Sequence, residues 1–375
     1  MTVQIRSLPT VSYALHQTSP ENFTNQLRDA LLSHGFLYLD DIASSFPSWI
    51  DSWDQAFSDS RAFFKLPIEE KQKISMLESK HFRGYSAFKV EVTAGKKDLR
   101  EQIDFGPETP PHPETPSNLF LSLYGPNLFP TSTQVPHFRS SILTFRSQLL
   151  TISQTLLHFI AQSITPSPNL IEKHWYPLSE TARDRELAEC EPDYSRMKVV
   201  RYPVVRKEEE DEGALGVGAH KDGGGLTLLA QDQTGGLQVQ AWDGVWIDVT
   251  PKKYALVINI GQVLERLTCG VYSATTHRVL PTFGTEPRLS IPFFFSPTLQ
   301  AHLTPLDPLK DLHPSVLDHL EASTSEKVSE VKKNDLHEEV FGKMAWRGIS
   351  RSHGDVWERW YGKDVDPVGG AEVVS

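Results

Sequence analysis

The sequence predicts a mainly β protein whose sheet is covered on one side by helices, and three observations carry that prediction. From Met197 onward apolar residues alternate with period two in short runs, among them "MKVVRYPVV", "LTLLAQD", "GLQVQAW", "VWIDVTP", "LVINIG", "HRVL" and "RLSIPFFFS"; each reads as a strand. Upstream, apolar residues recur every three or four positions over long stretches, the spacing of helices with one buried side. Turn residues separate the strands and no internal repeat is evident, so the strands read as one sandwich or barrel.

The elements follow in order. Ser19-Pro20-Glu21 supplies an N-cap, a proline at the first helical position and an acid in the first turn; Phe23, Leu27, Leu31 and Leu32 continue the helix until Gly35. "FLYLDD" is a short strand. A second helix runs from about Phe46 to Lys65 and stops before Pro67, because the residue preceding a proline is pushed out of helical geometry. The prolines of "GPETPPHPETPSN" exclude regular structure and leave a surface connection. A third helix, "HFRSSILTFRSQLLTISQTLLHFIAQSI", aligns Ile142, Phe145, Leu149, Ile152, Leu156 and Ile160 and is long enough to lie along a whole sheet. Asp243-Gly244 predicts a two-residue hairpin turn, and the acidic run 207–213 a solvated loop. We expect one structural unit in three parts: a helical and strand cap over 1–120, the long helix and barrel over 121–300, and a helical stretch over 301–375 that forms a lid or a contact with a second subunit in a homo-oligomer.

Composition excludes several functions. The 375 residues carry 37 Lys and Arg against 48 Asp and Glu, a formal net charge of −11, so nucleic acid and anionic membrane are not expected partners. Cys190 and Cys269 are too few for a disulfide framework. The N-terminus has no continuous apolar stretch and no run of about 18 apolar residues occurs, so a cytoplasmic setting is expected.

His220 and Asp222 stand one residue apart before an apolar run. On a strand, residues i and i+2 share a face, so an imidazole and a carboxylate there can converge on one ion. His277, at the start of a later strand, offers a third ligand. Two histidines and one carboxylate on one face of an octahedron leave positions open, which suits non-haem Fe(II). A hydrogen-bonded surface pair is the plain alternative. Arg288 and Ser290 lie eleven and thirteen residues beyond His277 on one strand face and form a site for a carboxylate; an Asp or Glu of the protein itself would serve equally. Glycines 223–225 let the backbone leave the ligand strand with unusual dihedrals, or leave room for substrate beside Asp222.

Residues from about 8 to 300 resemble the Fe(II) and 2-oxoglutarate dependent oxygenases of the isopenicillin N synthase-like group. "GFLYLDD", "FFKLPIEEKQKI", "FRGYSAF" and "DLREQIDFGPE" carry the likeness in the first part; "GAHKDGGGLTLLAQDQTGGLQVQ", "GVWIDVTP", "LVINIGQVLERLTCGVYSATTHRV" and "PRLSIPFFFSP" carry it in the second. The resemblance implies a double-stranded β-helix, or jelly roll, flanked by helices. It implies His220, Asp222 and His277 as iron ligands, Arg288 and Ser290 on the distal carboxylate of 2-oxoglutarate, and Tyr202 adding a hydroxyl there. Val200 stands where many relatives have an asparagine. The implied reaction takes O2 and 2-oxoglutarate, releases succinate and CO2, and hydroxylates, desaturates or cyclises a small organic molecule of specialised metabolism.

A further likeness, to the ethylene-forming branch that also oxidises arginine, implies substrate contacts from Glu91, Thr93 and Arg347. Lys198 replaces an arginine of that branch and Gly223 an aromatic residue, and both departures speak against its reactions. Ordinary loop polarity would explain Glu91 and Thr93, a helix-face charge would explain Arg347, and Tyr85 and Phe88 could be core. The rival readings are an oxidase of the same fold that uses no 2-oxoglutarate, as isopenicillin N synthase does, a catalytically dead binding protein, and, more weakly, a zinc hydrolase, for which no HExxH motif is present.

Overall fold

The structure is a computed structural model that describes residues 7–93, 95–112, 115, 118–167, 170–176, 193–206, 214–307, 311–313, 316 and 340–362. The acidic run 207–213 and Cys190 fall outside these residues.

Strand β1 (Thr10–Ser12) and helix α1 (Leu15–Thr18) precede α2 (Pro20–His34), which begins on its proline and ends at Gly35 with φ 65°. That left-handed position suits glycine, and a β-carbon there would also strike the Thr275 hydroxyl and the Ser273 carbonyl. Strand β2 (Phe36–Asp40) leads to α3 (Trp49–Phe64), which starts three residues later than expected, past Pro47. Next come α4 (Ile68–Gln72), β3 (Gly84–Ser86), the small hairpin β4 (Val92–Thr93) and β5 (Lys96–Lys97), and β6 (Glu101–Phe105). The long helix α5 (Phe138–Ile164) is followed by α6 (Leu170–Trp175).

The barrel strands are β7 (Arg196–Tyr202), β8 (Val217–His220), β9 (Leu226–Gln231), β10 (Leu237–Gln240), β11 (Trp246–Asp248), β12 (Leu256–Ile260), β13 (His277–Val279) and β14 (Arg288–Phe295). They form two sheets, one ordered β1-β2-β12-β9-β14-β7-β6-β3 and the other β11-β10-β13-β8. The predicted sheet-rich architecture, a jelly-roll core flanked by helices, holds.

Alternation along the large sheet positions the site. One face sends Leu226, Leu228, Ile258, Ile291 and Phe293 into the large core shared with α2, α3 and α5. The opposite face sends Val200, Tyr202 and Val257 into a smaller core with Val217, Leu237 and Val279 of the second sheet. Because side chains alternate with period two, the polar residues Thr227, Gln231, Asn259, Arg288 and Ser290 lie on this inner face. A one-residue slip would send all of them into the helix-facing core.

Strand β6 escapes a reading by alternation because all five of its residues are buried. Its Glu101 is held by Lys71 at 2.7 Å, Tyr85 at 2.5 Å and Arg201 at 2.6 Å, as a buried carboxylate requires. Tyr85 is core, and Phe88 is exposed. The Asp243-Gly244 turn is wider than expected. Ala241 N bonds Val245 O at 2.8 Å and Gly244 N bonds Ala241 O at 2.8 Å, so Ala241 and Val245 extend the pairing beyond β10 and β11 and three residues, Trp242 to Gly244, make the turn; Gly244 takes φ 83°.

Helix α7 (Gln262–Leu267) follows β12, and α8 (Phe341–Ser352) and α9 (Gly354–Trp360) fold back onto the N-terminal part. Tyr361 stacks on Phe82 at 6.2 Å, and Trp360 donates to Leu77 O at 2.9 Å. No helix among the described residues is long and apolar enough to cross a membrane.

Candidate metal centre and its two pockets

His220, Asp222 and His277 each offer a ligand atom, and the three atoms lie within 4.8 Å of one another. Strands β8 and β13 pair with His277 directly opposite His220. Asp222 is not on the strand: β8 ends at His220, and the chain turns so that Gln262 N and Val263 N, at the start of α7, bond Asp222 O and Gly224 O. Convergence therefore comes from the turn rather than from strand alternation. His220 Nε2 lies 3.5 Å and His277 Nε2 3.6 Å from Asp222 Oδ1, near the separation of about 3 Å between neighbouring ligands bound at about 2.1 Å.

Hydrogen bonds fix which atom of each group is free. Nδ1 of His220 lies 2.8 Å from Gly218 O and Nδ1 of His277 lies 3.1 Å from Thr275 O. A carbonyl only accepts, so each Nδ1 carries the hydrogen and each Nε2 keeps its lone pair for a cation. Asp222 Oδ2 accepts from Thr227 Oγ1 at 2.6 Å and Asn259 Nδ2 at 2.8 Å, which turns Oδ1 toward the imidazoles. Thr227 and Asn259 face each other across β9 and β12. Burial alone would raise the Asp222 carboxyl, but His277, His220 and Asn259 outweigh it and hold it well below the usual range. Burial pushes His277 down, whereas the bond and charge of Asp222 overcome burial at His220 and raise it.

Behind the triad, in the same cavity, lie Tyr202, Arg288 and Ser290. Arg288 is 1% exposed. It donates to Ser290 Oγ at 3.2 Å and Gln231 Oε1 at 3.0 Å, sits 4.8 Å from the Tyr202 ring centre, and leaves Nε buried with no partner. No carboxylate among the described residues pairs with it. A buried guanidinium facing a cavity fits an anionic guest. The donor set and this guanidinium together fit Fe(II) and a dicarboxylate such as 2-oxoglutarate.

On the other side of the triad an outer pocket of about 420 Å³ opens, bounded by Glu91, Thr93, Lys198, Gly223 and one face of α8. Phe341, Met344, Ala345, Gly348, Ile349 and Ser352 of α8 line it. Arg347 is not among them, because helical period puts that stripe at i, i+3, i+4, i+7, i+8 and i+11 and Arg347 falls between its rows. The glycines act through space rather than dihedral angle, since none of the three has positive φ. A β-carbon on Gly225 would enter the Trp175 indole and one on Gly224 would press on the Ser296 hydroxyl, whereas one on Gly223 would meet nothing within 4 Å. The space beside Asp222 at Gly223 is open.

Glu91 is 4% exposed and fully engaged. Arg100 at 2.5 Å, Lys198 at 3.0 and 3.3 Å, Gln102, and His353 at 3.1 Å all reach its two oxygens. Burial would raise its carboxyl, but Lys198, Arg100 and His353 hold it well below the ordinary value. Through His353 it ties the junction of α8 and α9 to the barrel.

Thr227, Gln231, Asn259, Arg100 and His353 were not singled out from sequence. Thr227, Asn259 and Gln231 reach the site only once β9, β12 and β14 pair; no local pattern marks the other two.

Residues 194–297 match the 2OG-Fe(II) oxygenase superfamily and residues 8–132 match the non-haem dioxygenase in morphine synthesis N-terminal family. A 2-oxoglutarate-dependent dioxygenase of Gibberella zeae is 32% identical over 96% of this chain and 93% of its own length. A second, from Dothideomycetidae sp., is 32% identical over 93% of this chain and 90% of its own. The solved structure of a full-length Neurospora crassa protein in complex with alpha-KG and thymine superposes with a TM-score of 0.66 at 23% identity, covering 84% of this chain and 93% of that one, and so speaks for the fold. On these matches the chain belongs to the 2OG-Fe(II) oxygenase superfamily and is a 2-oxoglutarate-dependent dioxygenase.

Proposed function

We propose that His220, Asp222 and His277 hold Fe(II), that Arg288, Ser290 and Tyr202 hold the distal carboxylate of 2-oxoglutarate, and that the outer pocket takes the small organic molecule to be oxidised. One observation carries this reading: three ligand atoms within 4.8 Å share a cavity with a buried guanidinium that no described carboxylate neutralises. Fe(II) and 2-oxoglutarate, when bound, supply O2-dependent oxidation with release of succinate and CO2.

The chain's residues orient and enclose. Carbonyls of Gly218 and Thr275 fix the imidazole tautomers, and Thr227 with Asn259 aims the carboxylate. Arg288 sets the distance at which a dicarboxylate can reach the metal with its other end. Gly223 leaves the substrate's path beside Asp222 clear, while α8 covers the pocket and limits water. The Neurospora crassa neighbour was solved with thymine, and another neighbour, JOX2, with 2OG, Fe and JA; we extend only the use of a small-molecule substrate to this chain.

The test is succinate release from 2-oxoglutarate by the purified protein. The reading expects release that needs both Fe(II) and O2 and is lost in His277→Ala and Asp222→Ala. Release without iron, or unchanged release in both variants, would overturn it.

A further inference from the structure

The inner cavity holds two guanidinium groups, not one. Besides the triad and Tyr202, its ionisable lining residues are Arg288 and Arg100, while a keto dicarboxylate carries a negative charge at each end. Arg288 lies away from the outer pocket. Arg100 lines both cavities, each time with His220 and Asp222, so it sits at the metal end. The backbone ties it there: Asp98, its partner at 2.9 Å, accepts from Gly218 N at 3.3 Å, and Gly218 O holds His220 Nδ1 at 2.8 Å.

Arg100 has donors to spare. Both of its ion pairs, to Glu91 at 2.5 Å and Asp98 at 2.9 Å, run through Nη2. Nε is buried without a partner, and no described residue accepts from Nη1. A guanidinium presents donors along three edges, so two acids can hold it in place while another edge stays free. The side chain is 12% exposed, so a contact made there is shielded from water and worth more than at the surface. Val200, on the neighbouring strand, is wholly buried and apolar and offers the keto-acid end nothing.

We propose that Arg100 binds the metal-side carboxylate of 2-oxoglutarate, so that two arginines, Arg100 and Arg288, grip the two ends of the co-substrate. This rests on the 2-oxoglutarate reading above. Arg100 is then a co-substrate-binding residue, and its ion pairs to Glu91 and Asp98 hold it at the required angle.

The experiment uses two keto acids. Pyruvate shares the keto-acid head of 2-oxoglutarate but lacks the distal carboxylate. The anaerobic Fe(II) protein is titrated with each, following the visible charge-transfer band of a chelated keto acid. Arg100→Gln should weaken both keto acids by the same factor, at least about tenfold, the lower end of what a hydrogen bond to a charged group contributes. Arg288→Gln should weaken 2-oxoglutarate alone. Pyruvate affinity within twofold of the parent protein in Arg100→Gln would overturn the proposal, and so would failure of pyruvate to give a band in the parent, which would leave the iron end without an anchor of its own. No band with 2-oxoglutarate in the parent would instead overturn the underlying reading. Arg100→Lys guards against misfolding: one ammonium can keep the pairs to Glu91 and Asp98 but cannot span a third acceptor. It should fold, bind Fe(II) with unchanged stoichiometry and still lose pyruvate affinity about tenfold; unchanged affinity would again overturn the proposal.

Discussion

Replacing Arg288 with methionine should separate stability from co-substrate binding. In the protein without ligand, the guanidinium is 1% exposed and bonded only to Ser290 and Gln231, at 3.2 and 3.0 Å. Losing those two bonds costs about 1.5–3 kcal/mol each, since the donor is charged. Against that stands relief of burying a charge without a counter-ion, itself several kcal/mol. The two nearly cancel, so Arg288→Met should unfold within a few degrees of the parent, about 1 kcal/mol either way. With 2-oxoglutarate the balance reverses, because the variant leaves a buried carboxylate unpaired at a cost of about 2–5 kcal/mol. Affinity should then fall about thirtyfold to several thousandfold. Thermal unfolding of the apo protein and anaerobic titration with 2-oxoglutarate read the two quantities separately. A large drop in melting temperature with affinity unchanged would refute the reasoning and make Arg288 a structural residue.

Three further outcomes are expected. Asn259→Ala removes one of the two bonds that aim Asp222 and should lower Fe(II) affinity about 10- to 100-fold, measured by metal titration. Gly225→Ala should destabilise by about 1–3 kcal/mol as its methyl meets Trp175, whereas Gly223→Ala should leave melting temperature unchanged because its methyl enters open space; equal effects would contradict the spatial account of these glycines. Glu91→Gln should destabilise at neutral pH. The Glu91 carboxyl is held below its ordinary value, so its contribution is complete above the unfolded value near about 4.3 and fades as pH falls through the lower folded one. The stability gap between parent and variant in denaturant titrations should shrink below pH ~4; a gap that widens there would refute the assignment.

Legibility in the sequence followed the physics of each element. Helices with one buried face, such as α2 and α5, print a period in the sequence, and Pro20 and Gly35 mark the ends of α2. Barrel strands from Arg196 on alternate visibly because their two faces meet different neighbours. Strand β6 did not show because both its faces are buried and its polar residues are satisfied by partners as far away as Lys71 and Arg201. At the site, His220, Asp222, His277, Arg288 and Ser290 stood out by residue type and spacing. What held Asp222 did not, since Thr227 and Asn259 face it only after β9 and β12 pair. His353 reaches Glu91 across 262 positions of chain, a separation at which local pattern carries no signal. Arg347 rests on the likeness to the ethylene-forming branch, and on α8 it falls outside the stripe that lines the pocket.

The central claim is that one imidazole from each of two paired strands and one carboxylate from the turn between β8 and β9 share a single Fe(II) beside a cationic anchor. Anaerobic titration of Fe(II) into the protein with saturating 2-oxoglutarate, following the visible band, tests it most directly. The band should rise to one equivalent of iron per chain, and His220→Ala, Asp222→Ala and His277→Ala should each prevent it. A full-strength band in any of the three variants would contradict the claim, as would a parent protein that takes up iron but develops no band.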